Sequence, residues 1–195
     1  MKKGERRKQE LLEIAYRMFL TNGYENTSVD GIIEEAGIAK GTYYYYFESK
    51  EQMLEEVIEM MLDAEEEKAS KILEADIPVS QKLVGVITSF RPDKTEAPIT
   101  EALHEPGNLI MHEKINQKLM DRLIPLLTEV ARQGVSEGIY ACEDIPERVK
   151  IIVILANELF DQGGYTKSDI RVFIDTVERI LYAAPGTMAF IGQLF

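Results

Sequence analysis

The run Lys40-Gly41-Thr42-Tyr43-Tyr44-Tyr45-Tyr46 gathers the residue types that hydrogen-bond to phosphates and base edges. An ammonium and several hydroxyls donate, and a glycine lets the backbone approach a partner closely. On a helix each residue turns about 100° from the last, so four successive tyrosines cannot share one buried face. Tyr43 is expected in the core, with Phe47 one turn later on the same side. Tyr44, Tyr45 and Tyr46 are then at least partly exposed. Packing accounts for Tyr43 alone; three exposed aromatics with hydroxyls fit contact with a nucleic acid better than chance.

Those side chains must be held by something rigid, and the first 47 residues supply it. Leu11, Ile14, Ala15, Met18 and Phe19 recur at helical spacing and stop at Asn22-Gly23. Thr27 or Ser28 can cap a second helix ending near Glu35, Gly37 breaks the chain, and a third helix runs from about Ala39 to Tyr46. Two short helices joined by a glycine turn match a helix-turn-helix. Val29, Ile32, Ile33, Ile38, Tyr43 and Phe47 can fix their crossing, and Lys40, Gly41 and Thr42 stand at the end that meets base edges.

Beyond this point the pattern stays helical. Ser49-Lys50-Glu51-Gln52 reads as a capping box for a long fourth helix with Met53, Leu54, Val57, Ile58, Met61 and Leu62 on its apolar side. Further helices are expected near 79–90, 96–105, 109–137, 146–162 and 168–184, with Pro125 kinking the longest. The apolar tail after Pro185 is expected to pack back. The fold class is therefore all-α: a three-helix helix-turn-helix domain over residues 1–50, then a helical domain over 51–195.

The chain has 195 residues, 45% hydrophobic and 29% charged, enough for a sizeable core. Its net charge is −12, yet residues 1–50 balance eight Lys/Arg against eight acids. All the acidity lies in the remainder, and a local basic face is what phosphate binding needs. No apolar run follows the charged N-terminus, so neither a signal peptide nor a membrane span is read, and a cytoplasmic location is expected. No nucleophile elbow, P-loop, dinucleotide fingerprint or cysteine pair argues for an enzyme. His104 and His112, with Glu101, Glu105 and Glu113 nearby, offer fewer nitrogens than a structural metal usually takes. They are expected to be solvated or pocket-lining, with no metal and no cofactor. Cys142 lies between a loop glycine and two acids, without a basic neighbour to favour its thiolate, and is expected to be incidental.

The stretch Thr27-Ser28-Val29-Asp30-Gly31-Ile32, then Ala36-Gly37-Ile38-Ala39-Lys40-Gly41-Thr42-Tyr43-Tyr44-Tyr45-Tyr46-Phe47-Glu48-Ser49-Lys50-Glu51, resembles the DNA-binding signature of the TetR family of transcriptional regulators. With Ala15, Phe19 and Gly23-Tyr24 the resemblance covers roughly residues 8–55. It implies that Lys40, Gly41, Thr42 and Tyr45 face base edges or nearby backbone, that Tyr44 and Tyr46 donate to phosphates, and that Thr27 and Lys50 hold phosphates from flanking helix ends. Ala39 departs from the Ser or Thr that often opens the third helix, which should leave it less firmly capped, and Tyr46 stands where His is frequent.

The resemblance further implies a homodimeric repressor on a pseudo-palindromic double-stranded operator, released by a small-molecule effector. Gln133 to Tyr140 resembles a turn common in such regulators. Inward positions on the middle helices name Phe90, Leu103, His104, Met111, Leu155 and Phe160 as pocket candidates, whose apolar content favours a lipophilic or amphipathic ligand. The last two long helices of each subunit would pair between protomers through Val149, Ile152, Val153, Phe160, Phe173, Val177, Ile180 and Leu181, although an intrachain core would show the same stripes.

Overall fold

The computed structural model describes residues 3–91, 104–161 and 163–195, and all their regular structure is helical. In chain order the helices are α1 (Lys3–Asn22), α2 (Val29–Glu35), α3 (Lys40–Tyr46), α4 (Lys50–Glu74), α5 (Val79–Ser89), a 3-10 turn (Pro106–Asn108), α6 (Leu109–Ser136), α7 (Ile145–Phe160) and α8 (Lys167–Leu181), followed by a 3-10 segment (Ala189–Leu194). Most of the helix expected over 96–105, and with it Leu103, lies outside the described residues. Pro125 sits inside α6 without ending it.

Two units divide the chain. The first takes Met1–Ala64 with Pro92–Leu119, the second Glu65–Arg91 with Met120–Phe195. The first unit thus reaches past residue 50, because the apolar side of α4 is buried there: Met53, Leu54, Val57 and Ile58 are inaccessible to solvent, as are Leu11, Ala15 and Phe19 of α1. Polar side chains reinforce the packing of α1 on α4, with Lys8 paired to Glu56 and the Gln9 amide 3.0 Å from the Met60 sulfur. On the other side of α4 the start of α6 is tied by charge. Lys114 reaches Glu51 at 3.2 Å and Glu55 at 3.1 Å, and Lys118 pairs with Glu59 one turn on.

In the second unit Phe173, Val177 and Leu181 of α8 are buried with Val79 and Val86 of α5, Val130 of α6, Tyr140 and Cys142. A smaller group joins Ala131 of α6 to Val149 and Val153 of α7. The tail packs back as expected, burying Met188, Ile191 and Leu194. It is anchored by the buried Glu178 carboxylate, which accepts from the Met188 amide at 2.9 Å, and by Arg91, which donates to the Leu194 carbonyl. Among the described residues no helix is long and apolar enough to cross a membrane.

Candidate nucleic-acid interface

The α2–α3 corner is built by local chemistry. Ser28 caps α2, its hydroxyl accepting from the Gly31 amide at 3.0 Å. The chain leaves α2 through Gly37, whose φ of +60° side-chain-bearing residues rarely adopt. There the Ile38 amide returns to the Ile33 carbonyl at 3.1 Å and closes the turn. The helix α3 opens at Ala39 with no side-chain cap, as its sequence implies. Tertiary packing holds it instead. Tyr43 and Phe47 are buried with ring centroids 5.6 Å apart, and the Tyr43 hydroxyl donates to the Ser49 carbonyl at 3.3 Å. Burial pushes the Tyr43 phenol up to about 12, so it stays neutral.

With Tyr43 as the pin, the rest of α3 faces outward. Tyr44 is 50% and Tyr45 80% exposed, Lys40 and Gly41 are exposed, and Thr42 and Tyr46 are partly so. Lys40 meets Asp30 of α2 at 3.0 Å, and that hydrogen bond holds its ammonium above the ordinary lysine range. Tyr46 packs edge-to-face on Tyr45, its hydroxyl close to the backbone of Gly4 in the first turn of α1. An exposed face carrying an ammonium, a hydroxyl and three phenols, on a short helix pinned from behind, can hydrogen-bond to phosphates and base edges together.

Residues 11–57 match the family model described as "Bacterial regulatory proteins, tetR family". The chain is 40% identical over 80 residues to the HTH-type transcriptional repressor KstR2 of Mycolicibacterium smegmatis, spanning 41% of this chain and 39% of that protein. The head of the chain, residues 11–57, is that of the TetR family. The chain is therefore a DNA-binding transcriptional regulator. It is also similar to the Fatty acid metabolism regulator protein of Bacillus subtilis, 25% identical over 71% of this chain and 73% of that one. In fold it resembles the TetR family transcriptional regulator PfmR of Thermus thermophilus, with a TM-score of 0.57 at 23% identity, covering 90% of this chain and 95% of that one.

Within this TetR head, two expected phosphate ligands are placed differently. The Thr27 hydroxyl is buried and donates to carbonyls of Gly23 at 2.8 Å and Met18 at 3.2 Å, which fixes the α1–α2 connection. The Lys50 ammonium points at the same connection, toward the carbonyls of Tyr24 at 2.9 Å, Thr27 at 3.0 Å and Glu25 at 3.5 Å, and lies 4.3 Å from the Tyr24 ring centroid. Burial draws its pKa below the ordinary lysine value. Both residues position the head through backbone carbonyls, which in sequence cannot be told from phosphates as partners for a hydroxyl or ammonium. The capping box at Ser49 is also modified: Ser49 accepts from the Gln52 amide at 3.0 Å, but Gln52 reaches back to the Glu48 amide rather than to that of Ser49.

Sequence reasoning missed three residues that hold the head. Asp30 orients Lys40, and Arg7 of α1 donates to the Ala36 carbonyl at the end of α2 at 3.3 Å. Asn108, almost fully buried, accepts from the Tyr24 amide at 2.7 Å while the Gly107 carbonyl accepts from Glu25 at 3.2 Å. Gly23 turns at φ +85° directly beneath Gly107, so a Cβ there would crowd the Gly107 carbonyl at 3.3 Å. Proline and glycine at 106 and 107 mark a break between helices, but nothing in the sequence seats Asn108 on the head.

Of the pocket candidates, Met111 is buried and His104 exposed in the first unit, whereas Phe90, Leu155 and Phe160 pack against the core of the second. Phe160 sits among Tyr165, Phe173 and Phe195, with the Phe195 ring centroid 4.0 Å away. A separate cleft of about 510 Å³ in the second unit is lined by Leu73, Lys82, Glu129, Arg132, Gln133 and Ser136, none of them among those candidates. The residues expected at the dimer interface lie as follows in the single chain. Val149, Val153, Phe173, Val177 and Leu181 are buried in the chain's own second-unit core, with Ile152, Phe160 and Ile180 partly buried. That stripe faces inward; Ile151, Ile154 and Leu159 of α7 and Val172 of α8 are large apolar residues left exposed.

Proposed function

We propose that this TetR-family regulator is a homodimeric repressor that binds a pseudo-palindromic operator and leaves it when a small lipophilic molecule binds. The observation that carries the DNA-reading part is the outward face of α3, with Lys40, Thr42, Tyr44, Tyr45 and Tyr46 presented over buried Tyr43 and Phe47. Thr42, Gly41, Lys40 and Tyr45 read base edges and adjacent backbone in the major groove; Tyr44 and Tyr46 donate to phosphates. Asp30 releases or shares the Lys40 ammonium when a phosphate or guanine replaces it, an exposed pair of this kind being weak.

A reader of two half-sites needs two copies, spaced one helical turn of DNA apart, about 34–36 Å. The exposed Ile151, Ile154, Leu159 and Val172 supply apolar surface for pairing α7 and α8 with a second copy. Repression is supported by the likeness to a protein named a transcriptional repressor. A lipophilic effector is supported by the likeness to a protein named a fatty acid metabolism regulator and by the aromatic cluster around Phe160. The effector weakens operator binding by its differential affinity for the two states, typically about 1–3 kcal/mol.

Selection of binding sites from random duplexes, repeated at several salt concentrations, tests this function. A recovered pseudo-palindrome whose affinity falls steeply with salt supports it. Absence of enrichment from effector-stripped protein overturns it. Addition of long-chain acyl compounds to the selected complex tests the effector class; unchanged operator affinity across that class removes it.

A further inference from the structure

His104 and His112, the only histidines of the chain, flank the Pro106–Asn108 turn that is seated on the head. The fold brings their rings together: the centroids are 4.6 Å apart at 50°, and ligating nitrogens lie within 4.8 Å of each other. Two imidazoles sharing one ion at metal–nitrogen bonds of about 2.0–2.1 Å place their ring centroids about 4.5–5.2 Å apart, depending on the bond angle. The observed separation falls in that interval.

A second observation concerns the tautomer. The His112 Nε2 lies 3.3 Å from the Asn116 Nδ2 one turn along α6. Turning that amide by 180°, which keeps its shape, brings its oxygen to the ring, where it accepts the Nε2 proton and leaves the His112 lone pair on Nδ1. A ligating histidine whose other ring N–H is held by an acceptor is the usual arrangement behind a metal. Neutral ring stacking alone would account for the proximity, but it has no use for Asn116.

We propose that His104 and His112 bind a borderline divalent transition-metal ion such as Zn²⁺, Ni²⁺ or Cu²⁺ through two imidazole nitrogens, with Asn116 orienting His112. Imidazole selects these ions over Mg²⁺ and Ca²⁺, and the exposure of His104 leaves the remaining coordination positions open to oxygen donors. The ion ties together the two ends of the turn whose Gly107 and Asn108 oxygens hold the Glu25 and Tyr24 amides. It thereby clamps the contact on which the head rests.

The test titrates chelator-stripped full-length protein with Zn²⁺ by calorimetry, beside His104→Gln, His112→Gln and Cys142→Ser. Circular dichroism confirms that each variant keeps its helices. One ion per chain is expected, bound about tenfold or more weakly in each histidine variant and unchanged in Cys142→Ser. Zn²⁺ raises the melting temperature of the parent and not of the histidine variants. No binding by the parent at millimolar Zn²⁺, or parent-like binding by either folded histidine variant, overturns the site.

Discussion

The Asn108 side chain accepts a hydrogen bond from the Tyr24 amide at 2.7 Å across 84 residues of sequence. Tyr24 opens the connection between α1 and α2, and Asn108 closes the turn that begins α6. The start of α6 is therefore joined to the head by one buried hydrogen bond, reinforced by the Glu25–Gly107 backbone bond beside it. Asn108→Ala leaves the Tyr24 N–H without its partner in a buried place, which costs about 1–3 kcal/mol. Urea unfolding is expected to show a loss of that size, with faster hydrogen exchange at the Tyr24 amide. A loss below about 0.5 kcal/mol, the ordinary scatter of surface changes, would mean that the bond is replaced by water at no cost.

Lys50 separates a structural role from a DNA-binding one. Lys50→Met keeps an unbranched apolar side chain but removes the ammonium that lies over the Tyr24 ring and donates to the Tyr24, Glu25 and Thr27 carbonyls. Stability is expected to fall by about 1–3 kcal/mol. The slope of log affinity against log salt should stay that of the parent, because no phosphate contact is lost. A phosphate ligand would behave in the opposite way, with stability kept and the slope smaller by about 1.

The head was legible in sequence because its determinants are local. Ser28, Gly37, Tyr43 and Phe47 each act through neighbours a few residues away, and helix periodicity locates them. Thr27 and Lys50 reach backbone carbonyls in the free chain, partners which no side-chain pattern marks. The stripes of α7 and α8 are ambiguous for another reason. Periodicity shows that a face is apolar but not whether its partner belongs to the same chain, and the stripe around Val153 and Val177 is buried within this one. Asn108 on Tyr24 and His104 beside His112 depend on chain reversals that one sequence does not encode in any short pattern.

Tyr140 is buried in the second unit, where desolvation pushes its phenol up to about 12, and Tyr43 is held equally high in the head. In the unfolded chain both titrate near about 10. Their contribution is therefore fully present below pH 10 and is lost as pH rises from about 10 to about 12, by roughly 1.4 kcal/mol per pH unit for each tyrosine. Urea midpoints at pH 9, 10 and 11 should fall accordingly, and Tyr140→Phe should decline less steeply than the parent. Parallel declines would show that Tyr140 ionises in the folded state as freely as in the unfolded one.

The exposed face of α3 yields a pair of contrasting substitutions. Tyr44→Phe removes a hydroxyl from a half-exposed ring and leaves folding intact. If that hydroxyl meets a phosphate, affinity drops about equally for all sequences and the preferred site is unchanged. Thr42→Ala should instead alter base preference at one position of each half-site, by about 1–3 kcal/mol of discrimination. Selected sites from the two variants would be compared by sequencing. An unchanged profile for Thr42→Ala removes Thr42 from the groove.

Dimerisation is tested most directly on α7, where Ile151 and Ile154 are exposed while Val149 and Val153 point inward. Replacing both isoleucines with glutamate adds two charges to the face proposed to meet a second copy. The single chain should tolerate this within about 0.5 kcal/mol per site, since neither residue is part of its core. Sedimentation is expected to show the parent at twice the chain mass and the double variant at the chain mass. Operator affinity should fall at least tenfold, because one head then binds without its neighbour. Leu181→Ala is the counterpart: buried in the second-unit core, it should lose about 2–5 kcal/mol of stability and remain dimeric while folded. If the double glutamate variant stays dimeric and Leu181→Ala dissociates before it unfolds, the inward stripe takes part in the interface after all.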